Sequence, residues 1–267
     1  MEKYQPVSLQ RVIAEKENFR SGEPFPFLVM DNFVEAEVAN KLATEFPKVH
    51  DKRLFIYDNP LEVKRALNDW NAYPPYTYAF FQYLNSPEVI NTFSEMIGVQ
   101  LYPDHGLHGG GWHIHGNGGK LNPHLDYSIH PKMGLQRKLN LIIYLSKDWV
   151  PDWGGHLGFW SHDEETNAPR KLIQETSVKF NRAVLFDTTL NSWHGITRQV
   201  NSPNGTTRNS LAIYYLAEPA IGASPRSRAL YAPTEDQKDD NEIQDLIKKR
   251  ADLEKSKGTY AQLKDKG

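Results

Sequence analysis

Residues 138–145 read KLNLIIYL, a stretch almost continuous in apolar side chains and bounded by polar residues. Eight residues rich in branched and aromatic side chains are too few for a typical buried helix. They suit a strand covered on both faces. Further along lie three stretches of the same kind: GGHLGFW (154–160), RAVLFDT (182–188) and NSLAIYYL (209–216), separated by Gly, Pro, Asn and Asp. Short strands at this spacing predict an antiparallel sandwich or barrel. On the other side, Gly109, Gly110, Gly111, Gly116, Gly118 and Gly119 punctuate short pieces from about residue 100 onward.

The first hundred residues are of mixed character. FPFLVMDNF (25–33) predicts a buried strand between prolines and an Asp-Asn turn. Segment 34–46 places Val38, Leu42 and Phe46 on one helical stripe, and 76–97 predicts helix again. Residues 1–20 read as a polar surface helix. From Glu235 the chain is dense in charge, with Ile243, Leu246, Ile247 and Leu253 at helical spacing; an amphipathic helix against the body, fraying at its end, is expected. The expected organisation is a helical extension over 1–24, a mainly β domain with supporting helices over 25–217, and a charged helical segment over 218–267 packed on or extending from the core.

Composition narrows the chemistry. The 267 residues are 39% hydrophobic, enough for a sizeable core. The net charge of −2 gives no reason to expect nucleic acid or an anionic membrane as partner. Cysteine is absent, which excludes disulfides, thiolate nucleophiles and Cys-ligated metals. A metal site must use His, Asp or Glu. The first twenty residues lack the apolar core of a secretory signal, and no run approaches the roughly 20 apolar residues of a membrane span. A cytoplasmic protein is the expectation.

In NPHLDYSIHP (122–131), His124 and Asp126 stand two apart, so on a strand they point to one face. An imidazole and a carboxylate there make two ligands; alone, such a pair is common by chance. A second imidazole would complete a facial triad that leaves positions open on a ferrous ion. His194 in NSWHGIT, after the strand RAVLFDT, is the best candidate. Arg208 opens the strand RNSLAIYYL, where its planar fork would point inward and suit a carboxylate. Ser210 shares its face; an exposed turn arginine is the plainer alternative. His113 and His115 form a rival pair at strand spacing, but the glutamate that a cupin-type site needs a few residues later is missing; Gly119 and Lys120 stand there. His113 then lines the pocket or makes a structural hydrogen bond. His105, His108, His130, His156 and His162 are expected in loops.

With His124, Asp126, His194 and Arg208 in this order, residues 25–217 resemble the Fe(II)/2-oxoglutarate-dependent dioxygenases, and within them the prolyl-4-hydroxylase-like branch. HLD resembles the family's HxD, KLNLIIYLSKDW and GGHLGFW its central strand and the following hairpin, and SWHGIT with TTRNSLAIYYL its distal histidine and arginine strand. The interval from His194 to Arg208 is a few residues longer than in close relatives, so Arg198 is kept as a fallback. The resemblance implies a double-stranded β-helix (a jelly roll of cupin-like type) with helices packed outside. It implies that His124, Asp126 and His194 hold Fe(II), that Arg208 pairs with the distal carboxylate of 2-oxoglutarate, and that Tyr144 contacts the same group. Asn140, Ile142 and Tyr144 share a strand face, so Asn140 and the Tyr144 hydroxyl join Arg208 and Ser210 as expected cosubstrate-binding groups.

The implied reaction consumes O2 and 2-oxoglutarate, yields succinate and CO2, and hydroxylates an unactivated C–H bond. In halogenating relatives the carboxylate is replaced by a small residue, so Asp126 argues for hydroxylation. Trp70, Tyr73, Tyr76, Trp112, His113 and Tyr127 are candidate substrate-pocket residues. A small-molecule or peptide substrate is expected, and the oligomeric state stays open. Two alternatives remain: a non-catalytic metal-binding β-barrel module, and a Zn(II) hydrolase on the same ligands with Glu164 or Glu165 as base.

Overall fold

In a strand, alternate side chains point to opposite faces, so a strand apolar on both faces must be covered twice. A computed structural model describes residues 4–259 and shows how this is met. In chain order the elements are α1 (Leu9–Ala14), α2 (Lys16–Arg20), β1 (Phe27–Met30), α3 (Ala36–Thr44), β2 (Phe55–Asn59), β3 (Glu62–Leu67), α4 (Pro75–Leu84), α5 (Pro87–Ile97), β4 (Tyr102–Pro103), β5 (Gly111–His115), β6 (Lys120–Leu121), β7 (His124–Leu125), β8 (Gln136–Tyr144), β9 (Leu157–Asp163), β10 (Ala168–Thr176), β11 (Arg182–Asp187), β12 (His194–Ile196), β13 (Arg208–Ala217), β14 (Leu230–Tyr231) and α6 (Asn241–Ala251).

The strands form two antiparallel sheets. The larger runs β1-β11-β8-β13-β5-β3-β2, with β4 beside β13 and β6 beside β3; the smaller runs β10-β9-β12-β7-β14. This is the expected mainly β, jelly-roll core with flanking helices. β8, which contains KLNLIIYL, lies between β11 and β13, with Leu141 opposite both Leu185 and Ile213.

Each face of the large sheet has its own cover. Leu139, Leu141, Ile143, Leu211, Ile213 and Tyr215 pack with Leu42, Phe80, Phe81, Phe93 and Met96 of the helices in the main core. On the opposite face Tyr144, Val184 and Phe186 pack with Leu157 and Phe159 of the small sheet. Where the apolar side chains between the sheets give out, a polar cavity opens.

Several local expectations are corrected. Segment 76–97 is two helices, because Ser86 caps α5 and Pro87 sits in its first turn. The N-terminal region is two short helices whose Val12 and Phe19 are buried, so it is part of the core rather than a polar surface helix. The β2–β3 hairpin is not legible from the sequence because FIYDN and EVKRAL are as polar as loops. No strand is expected after residue 217, yet β14 pairs with β7 through Tyr231 and His124. α6 does pack against the body, burying Ile247 and Arg250. The expected fraying of the chain end falls on residues 260–267, outside the described residues. Among the described residues no helix is long and apolar enough to cross a membrane.

Candidate metal centre and cosubstrate cavity

The two-residue strand β7 carries His124, and β12 carries His194 directly opposite it in register. Pairing therefore brings together imidazoles seventy positions apart, with ring centroids 4.2 Å apart. Asp126 follows β7. Its Oδ1 lies 3.6 Å from His124 Nε2 and its Oδ2 lies 3.6 Å from His194 Nε2. One donor atom from each residue falls within 4.8 Å of the others, a spacing that can hold a metal ion.

The ring orientations are fixed by the backbone. His124 Nδ1 lies 3.0 Å from the Asn122 carbonyl oxygen, and His194 Nδ1 lies 2.9 Å from that of Ser192. A carbonyl only accepts, so each Nδ1 must carry its proton, and each Nε2 turns its lone pair toward Asp126. Such an outer partner is how a ligating histidine is usually held in one tautomer. Burial, then His124 nearby, pushes the His194 imidazole down to about 3, so it stays neutral. Burial alone would raise the Asp126 carboxyl, but the Arg137 guanidinium beside it outweighs this and keeps the group ionised. Phe186 packs on His194, and Tyr231 of β14 stacks on His124, which keeps water from the outer side.

Strand alternation decides which other side chains reach the cavity, a space of about 350 Å³. On β13, Arg208, Ser210 and Tyr214 line it; on β8, Asn140 and Ile142 do. Tyr144 is fully buried at the end of that row. Arg208 is buried, donates from Nε to the Gly155 carbonyl at 2.7 Å, and donates from Nη2 to the Tyr144 hydroxyl at 3.2 Å. No carboxylate among the described residues lies within ion-pairing distance of it. A buried guanidinium without an anion is costly, so this donor pair fits the far carboxylate of 2-oxoglutarate. Arg198, the fallback, is exposed and bonds to Pro151 and His156.

Two residues take places in the cavity that the sequence did not give them: His115, read there only as half of a rival metal pair, and Arg137. His115 pairs in register with Arg208; its Nδ1 faces Arg208 Nη1 at 3.4 Å, and its Nε2 is buried without a partner. Burial, reinforced by Arg208, holds its pKa well below the usual histidine range. The second is Arg137, whose Nη2 sits 3.1 Å from Asp126 Oδ2. Tyr215 pairs with Leu139 and Leu216 with Arg137, so one step on β13 spans two on β8. Lys138 is the extra residue of this bulge, and the bulge turns Arg137 to the cavity side, where counting by twos from Asn140 would put it outside.

The candidate substrate aromatics divide by the same alternation. His113 and Tyr127 line the cavity. Trp112 does not: it faces away from His113 on β5 and packs with Phe46 and Tyr73 in the main core. Trp70 and Tyr73 pack in that core as well, and Tyr76 is exposed against Lys41. Of the histidines expected in loops, His162 is instead on β9, bonded to Trp193. Glu164 and Glu165 are exposed in the β9–β10 turn, outside the cavity wall, which removes the base proposed for a hydrolase.

Gly195 lies between His194 and Ile196. A Cβ there would come within 2.8 Å of the carbonyl oxygens of Leu121 and Asn122, just before His124. Gly195→Ala is expected to push β12 off its neighbours and weaken metal binding by roughly 10–100-fold, the range for losing support around a ligand. Metal titration with a parallel melting curve checks this; unchanged affinity would contradict it.

Comparison with known proteins agrees with this geometry. Residues 110–216 match the model of the 2OG-Fe(II) oxygenase superfamily. No curated protein matches the sequence. Among solved structures, the fold is similar to a prolyl hydroxylase from Trichoplax adhaerens in complex with a hypoxia inducible factor peptide fragment (TM-score 0.53, 15% identity, 78% of this chain and 90% of that one). It is also similar to a prolyl-4-hydroxylase from Pseudomonas putida (0.51, 16%, 79% and 98%). A third is HygX from Streptomyces hygroscopicus with nickel and 2-oxoglutarate bound (0.52, 12%, 76% and 86%). The stretch that matches the 2OG-Fe(II) oxygenase superfamily, residues 110–216, is the one that holds His124, Asp126, His194 and Arg208.

Proposed function

We propose that this protein hydroxylates an unactivated C–H bond of a peptide, amino-acid or small-metabolite substrate, with succinate and CO2 as co-products. The observation that carries this reading is the convergence of His124, Asp126 and His194 in a cavity whose other end holds Arg208, a buried cation with no protein carboxylate beside it. Bound Fe(II) supplies the redox chemistry that couples decarboxylation of 2-oxoglutarate to oxidation of the substrate.

The chain's own groups supply everything else. The two Nε2 atoms and one Asp126 oxygen would hold the ion, and Arg137 would engage the other oxygen of Asp126. Arg208, with the Tyr144 hydroxyl donating beside it, would grip the distal carboxylate; His115 presents its second ring nitrogen to the same space, and Ser210 and Asn140 add polar edges along the floor. Phe186, Leu157 and Tyr231 would exclude water from the reacting face. Substrate would lie against His113 and Tyr127. The catalytic unit under this reading extends past residue 217, because Tyr231 walls one ligand.

The test is succinate formation, measured with each component omitted in turn. The reading expects turnover only when Fe(II), 2-oxoglutarate, O2 and a substrate are all present, with a low uncoupled rate lacking substrate. Product formed with Zn(II) in place of Fe(II) and without O2 would overturn it.

A further inference from the structure

The cavity wall is strongly cationic, and only part of that charge is used by the groups described above. Lys64, Arg137, Arg208, Arg228 and Arg250 line it, against the carboxylates of Glu62 and Asp126. Glu62 is already engaged by Lys64 and Arg250. A divalent metal ion and the two carboxylates of 2-oxoglutarate cancel each other, so loading the site leaves the excess positive charge in place. Arg228 has no carboxylate partner among the described residues, and Arg137 shares the single carboxylate of Asp126 with the metal site.

Each of these arginines keeps a buried Nε with no acceptor. Arg137 is 2% exposed; its Nη2 lies 3.1 Å from Asp126 Oδ2, and its Nε is buried without a hydrogen-bond acceptor. These are the two N–H groups on one edge of a guanidinium, the edge that grips a carboxylate or phosphate through parallel hydrogen bonds. The rings of Tyr127 and Tyr214 pack against its plane, with centroids 4.6 and 3.0 Å away, and hold that edge in one orientation. Arg228 likewise has a buried Nε with no acceptor, and no carboxylate of the described residues pairs with it.

Arg228 is kept close by its own segment. Arg226 donates to the Asp126 carbonyl at 2.9 Å, and its own carbonyl accepts from Ser128 N at 2.7 Å. His108, also in the wall, is pushed down to about 4 by burial; Arg137 and Arg228 are both near enough to add to the shift.

The distal carboxylate of the cosubstrate does not serve these groups. Arg137 lies opposite Leu216 on β13, eight residues from Arg208. At about 3.3 Å per residue, that is roughly 26 Å of backbone. A distal carboxylate held at Arg208 is therefore at the far end of β13 from Arg137, which stands instead beside Asp126 at the metal site.

We infer that Arg137 and Arg228 form an oxyanion subsite on the substrate side of the metal, and that the substrate is a small molecule carrying a carboxylate or a phosphate group. This rests on the oxygenase reading above and narrows its substrate class. A cavity of about 350 Å³ holds a metabolite-sized partner beside the cosubstrate.

The experiment uses the full chain under anaerobic conditions, loaded with Mn(II) and saturating 2-oxoglutarate. Inorganic phosphate and, separately, propionate are titrated calorimetrically at constant ionic strength. At least one of them is expected to bind once per chain without displacing 2-oxoglutarate; the stronger of the two names the anionic group. Affinity is expected to fall by roughly tenfold or more in Arg137→Met and in Arg228→Gln, the size of losing a hydrogen bond to a charged group. Arg137→Met also strips Asp126 of its partner; if it fails to fold or to load metal, Arg228→Gln, which touches no ligand, decides alone. Binding of neither anion, displacement of 2-oxoglutarate, or wild-type affinity in Arg228→Gln would each overturn the proposal. Failure of Mn(II) and 2-oxoglutarate to bind together would sink the oxygenase reading instead, and phosphate titrated into the metal-free protein would still report on the two arginines.

Discussion

Asp126→Ala is expected to abolish Fe(II)-dependent 2-oxoglutarate turnover and to lower metal affinity by more than the roughly 10–100-fold that follows loss of an outer partner. Two consequences of one deletion can be separated. The metal loses its only anionic ligand among the three, and Arg137, buried 3.1 Å from the vanished carboxylate, loses its counter-ion. Removing one partner of a buried pair costs about 3–5 kcal/mol of stability. A melting curve will therefore shift as well as the metal isotherm. Asp126→Asn, which keeps the shape but not the charge, should recover part of the stability and little of the metal affinity. Full turnover in Asp126→Ala with a normal isotherm would contradict the assignment.

Arg208→Met is expected to weaken 2-oxoglutarate binding by about 2–5 kcal/mol, or roughly 30- to several-thousand-fold, while Fe(II) binding changes little. Methionine fills the space of the side-chain stem without reproducing the charge or the bond to Tyr144. The effect should appear in KM for 2-oxoglutarate far more than in the Fe(II) requirement, and Arg208→Lys should recover only part, since an ammonium cannot present a planar fork. An equal loss of Fe(II) and 2-oxoglutarate affinity would point to general collapse of the site rather than to a cosubstrate anchor. Arg198→Met, on an exposed side chain bonded to Pro151, is the control.

How far the sequence carries is visible in individual residues. KLNLIIYL required two covers, and it has them. HLD and SWH could be placed on facing strands because a period of two leaves few choices over so short a distance. Counting by twos also defined its own failures. It would have put Trp112 in the core and His113 in the cavity, yet both were named as pocket aromatics because their face was not counted. Arg137 was invisible because the bulge at Lys138 shifts the alternation by one, and bulges depend on the pairing partner. Tyr231 lies in a two-residue strand amid polar sequence and is defined by pairing with His124, a contact 107 positions away that no local pattern encodes. The charged residues of the cavity wall come from β3, the segment after β7, β8, β13, α6 and the segment before β14, so their sum appears only after folding.

The most direct measurement is an anaerobic titration of the metal-free protein with Fe(II), with and without 2-oxoglutarate, followed by stoichiometry of both ligands. We expect one Fe(II) and one 2-oxoglutarate per chain, each tightening the other, with the ion lost in His194→Ala and the cosubstrate lost in Arg208→Met. Fe(II) binding that survives in His194→Ala, or 2-oxoglutarate binding indifferent to both the metal and Arg208, would contradict the account.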